Sequence, residues 1–440
     1  MKEIDSTTIG NGREKVAIIG LGFVGLPLAV AFMRKGFPVI GIDMDERKIR
    51  AIGAGKSYIQ DISDDEIERA VSEGDLFATT DYSVLSSADA IIVCVPTPLS
   101  NENAPDLTFL INVTRQLVPV IKLHQLVVIE SSTYPGTTKE IVQPILEQSG
   151  LEIGRQLHLA YSPERVDPGN RSMQMNEIPK VVSGITERCL ERVSALYERV
   201  FDRIVAVSST DAAELTKLLE NTYRLVNISF INEFARLCDA LHINVWEVIQ
   251  AAATKPYGYS PFYPGPGIGG HCIPVDPLYL QWKAEQKGAS SRFIEIAHTV
   301  NESMPAYIVD RVQAHLPSNK PLTESRILVY GVTYKKDTAD MRESMASPII
   351  RLLLDQGAEL RYHDPYIDAM QVNDGTKLNS VALTAEEIAG ADCVLILVDH
   401  SVLPAEFILE HSKYIFDTRN IIKSVKTGAK LVKLGDGAKS

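Results

Sequence analysis

The sequence predicts an α/β protein: two Rossmann-like, doubly wound domains joined by a central helical segment with a long helix. Three observations predict it. Short apolar runs alternate with helical stretches from Val16 to about Ser183, and again from Arg326 to about Phe416, as in parallel sheets. A glycine fingerprint, Gly20-x-Gly22-x-x-Gly25, directly follows the first run. Between the two alternating regions, from about Asp211 to Ala253, the pattern is helical and no strand candidate occurs. The expected domains are 1–207, a dinucleotide-binding domain; 208–315, a central helical domain with a cysteine loop; and 316–440, a second α/β domain.

The elements follow in order. Val16–Ile19 reads as a strand, then come the glycines and a helix to about Lys35. Val39–Ile42 is a second strand ending in Asp43, and Ala90–Val95, Leu126–Ile129, His158–Tyr161 and Val181–Ser183 continue the alternation. Leu215, Leu218, Leu219, Thr222 and Leu225 recur at helical spacing, so one long helix is expected, followed by more,. Such a segment between two sheet domains is a natural place for homodimer contacts. Leu316–Ser325 is polar and contains proline, as a linker would. Arg326–Gly331, Glu359–His363, Ala391–Val398 and Lys413–Phe416 are further strands, with a helix from about Ser347. This region has no second glycine fingerprint, so no second dinucleotide is expected there.

Composition narrows the function. The 440 residues are 45% hydrophobic, an ordinary globular proportion,. No apolar run approaches the roughly 20 residues of a membrane span, and Met1–Arg13 lacks the apolar core of a signal peptide,. A cytoplasmic protein without a membrane partner is expected. A net charge of −12 argues against nucleic acid as a partner,. The five cysteines form no CxxC pair, which suits neither a disulfide framework nor a zinc site, and no metal is expected,. Cys94 and Cys393 lie in apparent buried strands, Cys189 and Cys238 in helical patterns. Core packing accounts for these four.

Cys272 differs. It stands in the run Gly265-Pro-Gly-Ile-Gly-Gly-His-Cys-Ile-Pro-Val-Asp-Pro277. A thiol in such a loop is approachable, and the glycines would let backbone come close to a ligand. With a dinucleotide site in the same chain, the sulfur can hold a substrate covalently while the cofactor takes hydride.

In the fingerprint, Gly20 makes the tight turn, Gly22 admits a pyrophosphate and Gly25 lets helix and strand pack. Phe23 and Val24 lie between them, at a helix N-terminus that faces phosphate with its N–H groups,. Asp43 is placed to bind ribose hydroxyls and would repel a 2′-phosphate, so NAD is favoured over NADP. Arg47 and Lys48 are nearby cations able to meet a phosphate. Thr97 and Thr133 follow strand ends, where hydroxyls can reach a ribose, a nicotinamide amide or the reacting hydroxyl.

Lys217 and Asn221, four apart on the long helix, share a face and can polarise a hydroxyl or carbonyl,. By themselves they also read as a solvated lysine beside a surface asparagine. Asp276, four residues after Cys272, can act as base or orient the lysine. Glu164, after another strand end, can activate a water. Turn chemistry is the plain alternative for both carboxylates.

Gly20–Gly25, Pro96–Pro98, Ser131–Pro135, Ser162–Gly169, Lys217–Asn221, Gly267–Asp276 and Gly331–Ser344 together carry a resemblance over nearly the whole chain. It resembles the UDP-glucose/GDP-mannose dehydrogenase family of nucleotide-sugar 6-dehydrogenases. The resemblance implies a four-electron oxidation of a sugar C6 alcohol to a carboxylate, with two NAD reduced per turnover. It implies an aldehyde, a Cys272 thiohemiacetal, a Cys272 thioester and release of the uronate by water. Lys217 and Asn221 would then stabilise the oxyanion, and Asp276, Glu164 and Thr133 would position water and handle protons. The C-terminal domain would bind the nucleotide, with Tyr334, Lys335 and Arg419 on the substrate side and Arg342 near the cofactor. Glu164, Arg165, Val166, Arg224 and Gly269 complete the implied substrate contacts, and Lys48 the cofactor contacts. The family implies synthesis of a surface polysaccharide or glycan precursor.

The glucose-specific branch commonly has lysine where this chain has Val275. The form His271-Cys-Ile-Pro-Val-Asp276, after Pro261-Phe-Tyr-Pro-Gly265, is similar to enzymes acting on UDP-N-acetylhexosamines. Within that group the longer match, including Ser162–Asn170, implies UDP-N-acetylglucosamine as the expected substrate, with UDP-N-acetylmannosamine the runner-up and UDP-glucose a further alternative. A two-electron hydroxyacid dehydrogenase would also carry a Lys-x-x-x-Asn pair beside a Rossmann domain, but needs neither Cys272 nor a second α/β domain. A non-catalytic NAD-binding scaffold predicts loss of the reacting residues, and all of them are present.

Overall fold

The first half of the chain builds an eight-stranded sheet from β1 (Val16–Ile19), β2 (Val39–Ile42), β3 (Leu76–Thr79), β4 (Ala90–Val93), β5 (Leu126–Ile129), β6 (His158–Tyr161), β7 (Lys180–Gly184) and β8 (Ile204–Ala206). The structure is a computed structural model that describes residues 14–59, 61–100, 104–166, 173–270, 272–317, 320–372, 375–423 and 430–438. The Met1–Arg13 segment, His271 and the part of the Ser162–Asn170 run from residue 167 lie outside the described residues. The chain divides into two compact units, Met1–Glu220 with Leu278–Gly288, and Asn221–Pro277 with Ala289–Ser440.

In the first unit the strand order is β3-β2-β1-β4-β5-β6-β7-β8. β1, β4 and β5 are runs of Val, Ile, Leu and Ala, buried at every position, as strands covered on both faces must be. Leu26, Leu28 and Phe32 of the helix Gly25–Arg34 join their core. Each such side chain contributes about 1.5–3 kcal/mol by leaving water. The sheet departs from the wholly parallel arrangement expected: β7 pairs antiparallel with β6, through Ala160–Gly184 and Tyr161–Ser183. A parallel neighbour needs a crossover, usually helical, and among the described residues of that connection only a 3₁₀ turn, Met175–Glu177, occurs.

The second unit has a parallel sheet of β9 (Arg326–Tyr330), β10 (Glu359–His363), β13 (Cys393–Ile396), β14 (Tyr414–Asp417) and β15 (Lys430–Lys433) in the order β10-β9-β13-β14-β15. A hairpin of β11 (Ala369–Gln371) and β12 (Lys377–Asn379) stands apart. The long helix is Thr210–Leu241, and its residues from Asn221 onward belong to this unit. Asn244 caps the next helix, Val245–Ala253, by accepting from the Trp246 and Glu247 N–H groups, worth about 1 kcal/mol. The expected linker at Leu316–Ser325 is fastened instead, since Leu316 and Leu322 are buried in the core beneath β9. Among the described residues no helix is long and apolar enough to cross a membrane.

Candidate active site

The first unit holds the dinucleotide cradle. Gly20 turns with φ +93°, and a Cβ there would lie 2.4 Å from the Cys94 carbonyl oxygen. A Cβ on Gly25 would lie 1.8 Å from the Gly20 oxygen, so helix and strand meet only because both are glycine. A Cβ built on Gly22 would meet nothing within 4 Å, so that side of its backbone is open to a pyrophosphate,. Phe23 is exposed, and Val24 occupies the cap of the helix with no side-chain hydrogen bond there.

Asp43 follows β2 and accepts from Leu21 N at 2.9 Å, Asp45 N at 2.9 Å and Lys48 Nζ at 2.8 Å. Lys48 is therefore paired with Asp43, and Arg47 with Asp45 at 2.8 Å, so both cations read as possible phosphate partners meet carboxylates. A turn open at Gly22, facing a helix start and followed by an anchored carboxylate, fits NAD. Thr97 donates to the Ser132 carbonyl at 2.7 Å, which ties the loops after β4 and β5 together.

Two carboxylate centres lie deeper in this unit. Glu214, on the long helix, accepts from Gly136 N at 2.7 Å, Thr138 N at 2.8 Å, Thr138 Oγ1 at 2.7 Å and Thr133 Oγ1 at 3.4 Å. Burial pushes its carboxyl up to about 7 against the pull of those donors. Glu164 accepts from the N–H groups of Arg165 and Val166, each at 2.6 Å, and from Lys180 Nζ at 3.1 Å. Burial raises Glu164, but Lys180, the Val166 N–H and Lys217 together hold it below the usual carboxylate range. Arg165 is committed to Glu220 at 2.7 Å and to the Pro179 carbonyl at 2.7 Å.

The second unit holds the thiol. Cys272 is exposed and is the first residue of a helix, Cys272–Glu285, rather than a loop residue. Pro274 sits in the first turn, where no N–H is needed, so the prolines disguise a helix start. The glycines ahead of it also let the 334–343 segment pack closely. A Cβ on Gly269 would lie 2.5 Å from the Glu343 oxygen, and one on Gly270 2.7 Å from the Tyr334 ring. Protein atoms of the 334–343 segment fill the space on that side of each glycine. Three backbone donors fix the run: Gly265 N to Asn232 Oδ1 at 2.9 Å, Ile268 N to Asn301 Oδ1 at 2.6 Å and Gly270 N to the Arg342 carbonyl at 3.2 Å.

Asn221 donates through Nδ2 to Asp276 Oδ2 at 2.6 Å, and both side chains are buried. Asp276 thus orients the asparagine. Lys217 is half-buried one turn earlier on the long helix, and Arg224 is exposed. Gly267, Gly269, Tyr334, Met345 and Arg419 line a cleft. Arg419 bonds the Leu397 carbonyl at 3.0 Å, and burial lowers its pKa. Lys335 is half-buried beside Tyr334. Arg342 is paired with Asp340 at 2.7 Å, in the same unit as Cys272.

Sequence reading missed Glu214, Glu130, Lys180, Asn232 and Asn301. The signal present for two of them was a charge abutting a buried apolar run, Glu130 after β5 and Lys180 before Val181 and Val182 of β7.

A glycine-turn cradle, an anchored ribose carboxylate and a separate helix-borne thiol define an NAD-dependent oxidoreductase. Models of the UDP-glucose/GDP-mannose dehydrogenase family match in three consecutive parts: its NAD binding domain over residues 14–201, its central domain over 211–303 and its UDP binding domain over 328–424. The UDP-N-acetyl-D-mannosamine dehydrogenase of Methanococcus maripaludis is 33% identical, covering 97% of this chain and 98% of its own. That of Yersinia pestis is 34% identical, covering 93% and 99%. The structure of the UDP-D-ManNAc dehydrogenase from Pyrococcus horikoshii superposes with a TM-score of 0.87 at 33% identity, over 96% of this chain and 99% of that one. The chain belongs to the UDP-glucose/GDP-mannose dehydrogenase family. It is an oxidoreductase, an NAD-dependent UDP-sugar 6-dehydrogenase.

Proposed function

We propose that this enzyme carries the C6 hydroxyl of a UDP-N-acetylhexosamine through to the uronate, a four-electron oxidation with a Cys272 thioester, for surface polysaccharide precursor synthesis. The relatives named above favour the manno epimer. UDP-N-acetylglucosamine, expected from the Ser162–Asn170 and His271–Asp276 runs, is the second reading. The observation that carries the covalent scheme is local to one helix: Cys272 at its first residue and Asp276 one turn on, clamping Asn221 at 2.6 Å.

Bound NAD would supply the hydride acceptor for each of the two oxidations. Gly20, Gly22, Phe23, Val24, Gly25 and Asp43 would hold it, with Lys48, Thr97, Thr133 and Arg342 as further contacts. Lys217 polarises the C6 oxygen, and the Asn221 amide, fixed by Asp276, supports the same developing charge. Cys272, exposed at the first residue of its helix, supplies the nucleophile. The sulfur adds to the aldehyde carbon, the resulting thiohemiacetal becomes a thioester, and water cleaves the C–S bond and returns the thiolate. Thr133 and the anionic Glu164 accept hydrogen bonds that hold that water. Glu164, Arg165, Val166, Arg224, Gly269, Tyr334, Lys335 and Arg419 would contact the substrate, and the basic members offset the chain's net charge of −12 toward a diphosphate,. The working domains are 1–207 for NAD, 208–315 for dimer formation and the cysteine helix, and 316–440 for the UDP-sugar.

Measuring NADH formed per limiting UDP-sugar tests this, with both C2 epimers run to completion. Two equivalents from one epimer are expected. One equivalent would sink the thioester, and no reaction with either would sink the substrate class.

Homodimer formation is supported by Leu219, Tyr223, Phe230, Leu237 and Leu241, exposed along the long helix at near-heptad spacing,. Light scattering should give twice the chain mass; a monomer at working concentration would refute the dimer.

A further inference from the structure

Behind Glu164 the first unit buries a lysine and a second carboxylate that the reaction scheme does not use. Lys180 Nζ lies 3.1 Å from Glu164 Oε2 and 2.8 Å from Glu130 Oε2. The Tyr197 hydroxyl donates to the other oxygen of Glu130. Lys180 is 3% exposed, Glu130 2% and Glu164 8%, so little water screens the three charges. Tyr197 and Phe201 present ring faces to the ammonium at 5.7 and 5.2 Å,.

One cation between two carboxylates leaves a net negative charge in a poorly polarisable site. A single proton relieves it, and the bonds on each carboxylate decide where that proton goes. Glu164 has two backbone N–H donors besides Lys180, with Lys217 also favouring its charge. Glu130 has Lys180 and one hydroxyl. Cys94, whose thiol burial holds far above its ordinary range, faces the cluster as a neutral group. Arg165 spends its guanidinium on Glu220 and Pro179.

We propose that Lys180 and Glu130 are positioning residues for Glu164: the buried ammonium keeps Glu164 an anionic acceptor, and Glu130 carries the one proton that the cluster holds. This rests on the reading that Glu164 holds the hydrolytic water. Burial pushes Glu130 up to about 7 while Glu164 stays low, in line with that division.

The test compares wild type with Lys180→Met, Lys180→Arg, Glu130→Gln and Glu164→Gln. Turnover of the UDP-sugar is followed across about pH 6 to 9, with infrared spectra of the carboxyl groups over the same range. In Lys180→Met, kcat should fall about tenfold or more at neutral pH and recover as pH rises, with KM for NAD unchanged. Lys180→Arg should restore the profile. Two carboxyl groups, Glu130 and Glu214, contribute to the carboxylic-acid signal near neutrality in wild type, and Glu130→Gln should remove one component and leave that of Glu214. A Lys180→Met profile that superimposes on wild type, or both components surviving in Glu130→Gln, overturns the proposal. Should Lys180→Met fail to fold, the Lys180→Arg profile and the Glu130→Gln spectrum decide alone. Unimpaired thioester hydrolysis in Glu164→Gln would refute the role of Glu164 itself, and the infrared arm would still report which carboxylate holds the proton.

Discussion

After β1 the chain turns through Gly20 and Leu21; after β9 it turns through Gly331 and Val332. Both glycines have positive φ, +93° and +84°. In each unit the carboxylate after the neighbouring strand accepts the N–H that follows the glycine, Asp43 from Leu21 at 2.9 Å and Asp364 from Val332 at 2.7 Å. Each also accepts an N–H two residues ahead, from Asp45 at 2.9 Å and from Tyr366 at 2.8 Å. The third partner separates them. Asp43 meets Lys48 near the surface, with its own side chain 10% exposed. Asp364 meets His400 Nε2 at 3.2 Å with both side chains fully buried. His400 Nδ1 accepts from Asp337 N at 3.0 Å, which puts the ring proton on Nε2,. In the first unit a helix begins at Gly25, directly after the turn; in the second it begins at Ala346. The inserted segment instead packs on the cysteine run through Tyr334 and Glu343. One turn plan thus supports two uses: left at the surface, its carboxylate can bind a ribose, and sealed by a histidine it holds the loop that packs on the cysteine run.

Asp364→Ala should show the larger effect. It removes a buried carboxylate that serves two backbone donors and His400, at a cost of about 4 kcal/mol. The unfolding midpoint should drop sharply while KM for NAD holds. Glu214→Gln asks whether burial, apart from the turn plan, sets a carboxylate's behaviour. The folded group titrates at about 7 against 4.5 when unfolded. A raised carboxyl gives stability that is present below 4.5 and lost as pH climbs through 7, up to about 3 kcal/mol. Relative to wild type, the variant should therefore gain stability across that window, above whatever constant offset the amide brings. A difference in denaturant midpoint that does not change with pH would contradict this. Asp43→Ala should cost least, about 2 kcal/mol of cofactor binding. It should raise KM for NAD more than tenfold, relax discrimination against NADP and hardly shift the midpoint. Equal losses of stability in Asp43→Ala and Asp364→Ala would break the comparison.

Much of the fold was legible because burial on both faces leaves a plain trace. β1, β2, β5 and β6 fall where their apolar runs place them. β3 and β8 were not legible, since edge strands need little apolar sequence: Phe77 is 56% exposed, and β8 has no buried residue. Strand direction left no trace either, hence the antiparallel β7. At the site, the glycine cradle and the Lys217–Asn221 pair were readable because neighbours in sequence make them. Glu214 reaches Gly136 and Thr138, and Lys180 reaches Glu130, across long loops, and such pairings have no local signature. Asp276 was found by proximity to Cys272, yet its partner is Asn221.

The covalent role of Cys272 is the centre of the account, and rapid-quench peptide mass spectrometry tests it most directly. Enzyme is mixed with NAD and the accepted UDP-N-acetylhexosamine and stopped within one turnover. The account predicts the peptide containing Cys272 carrying the mass of the acylated nucleotide sugar, lost on treatment with hydroxylamine. Two equivalents of NADH formed with that peptide unmodified throughout would contradict it.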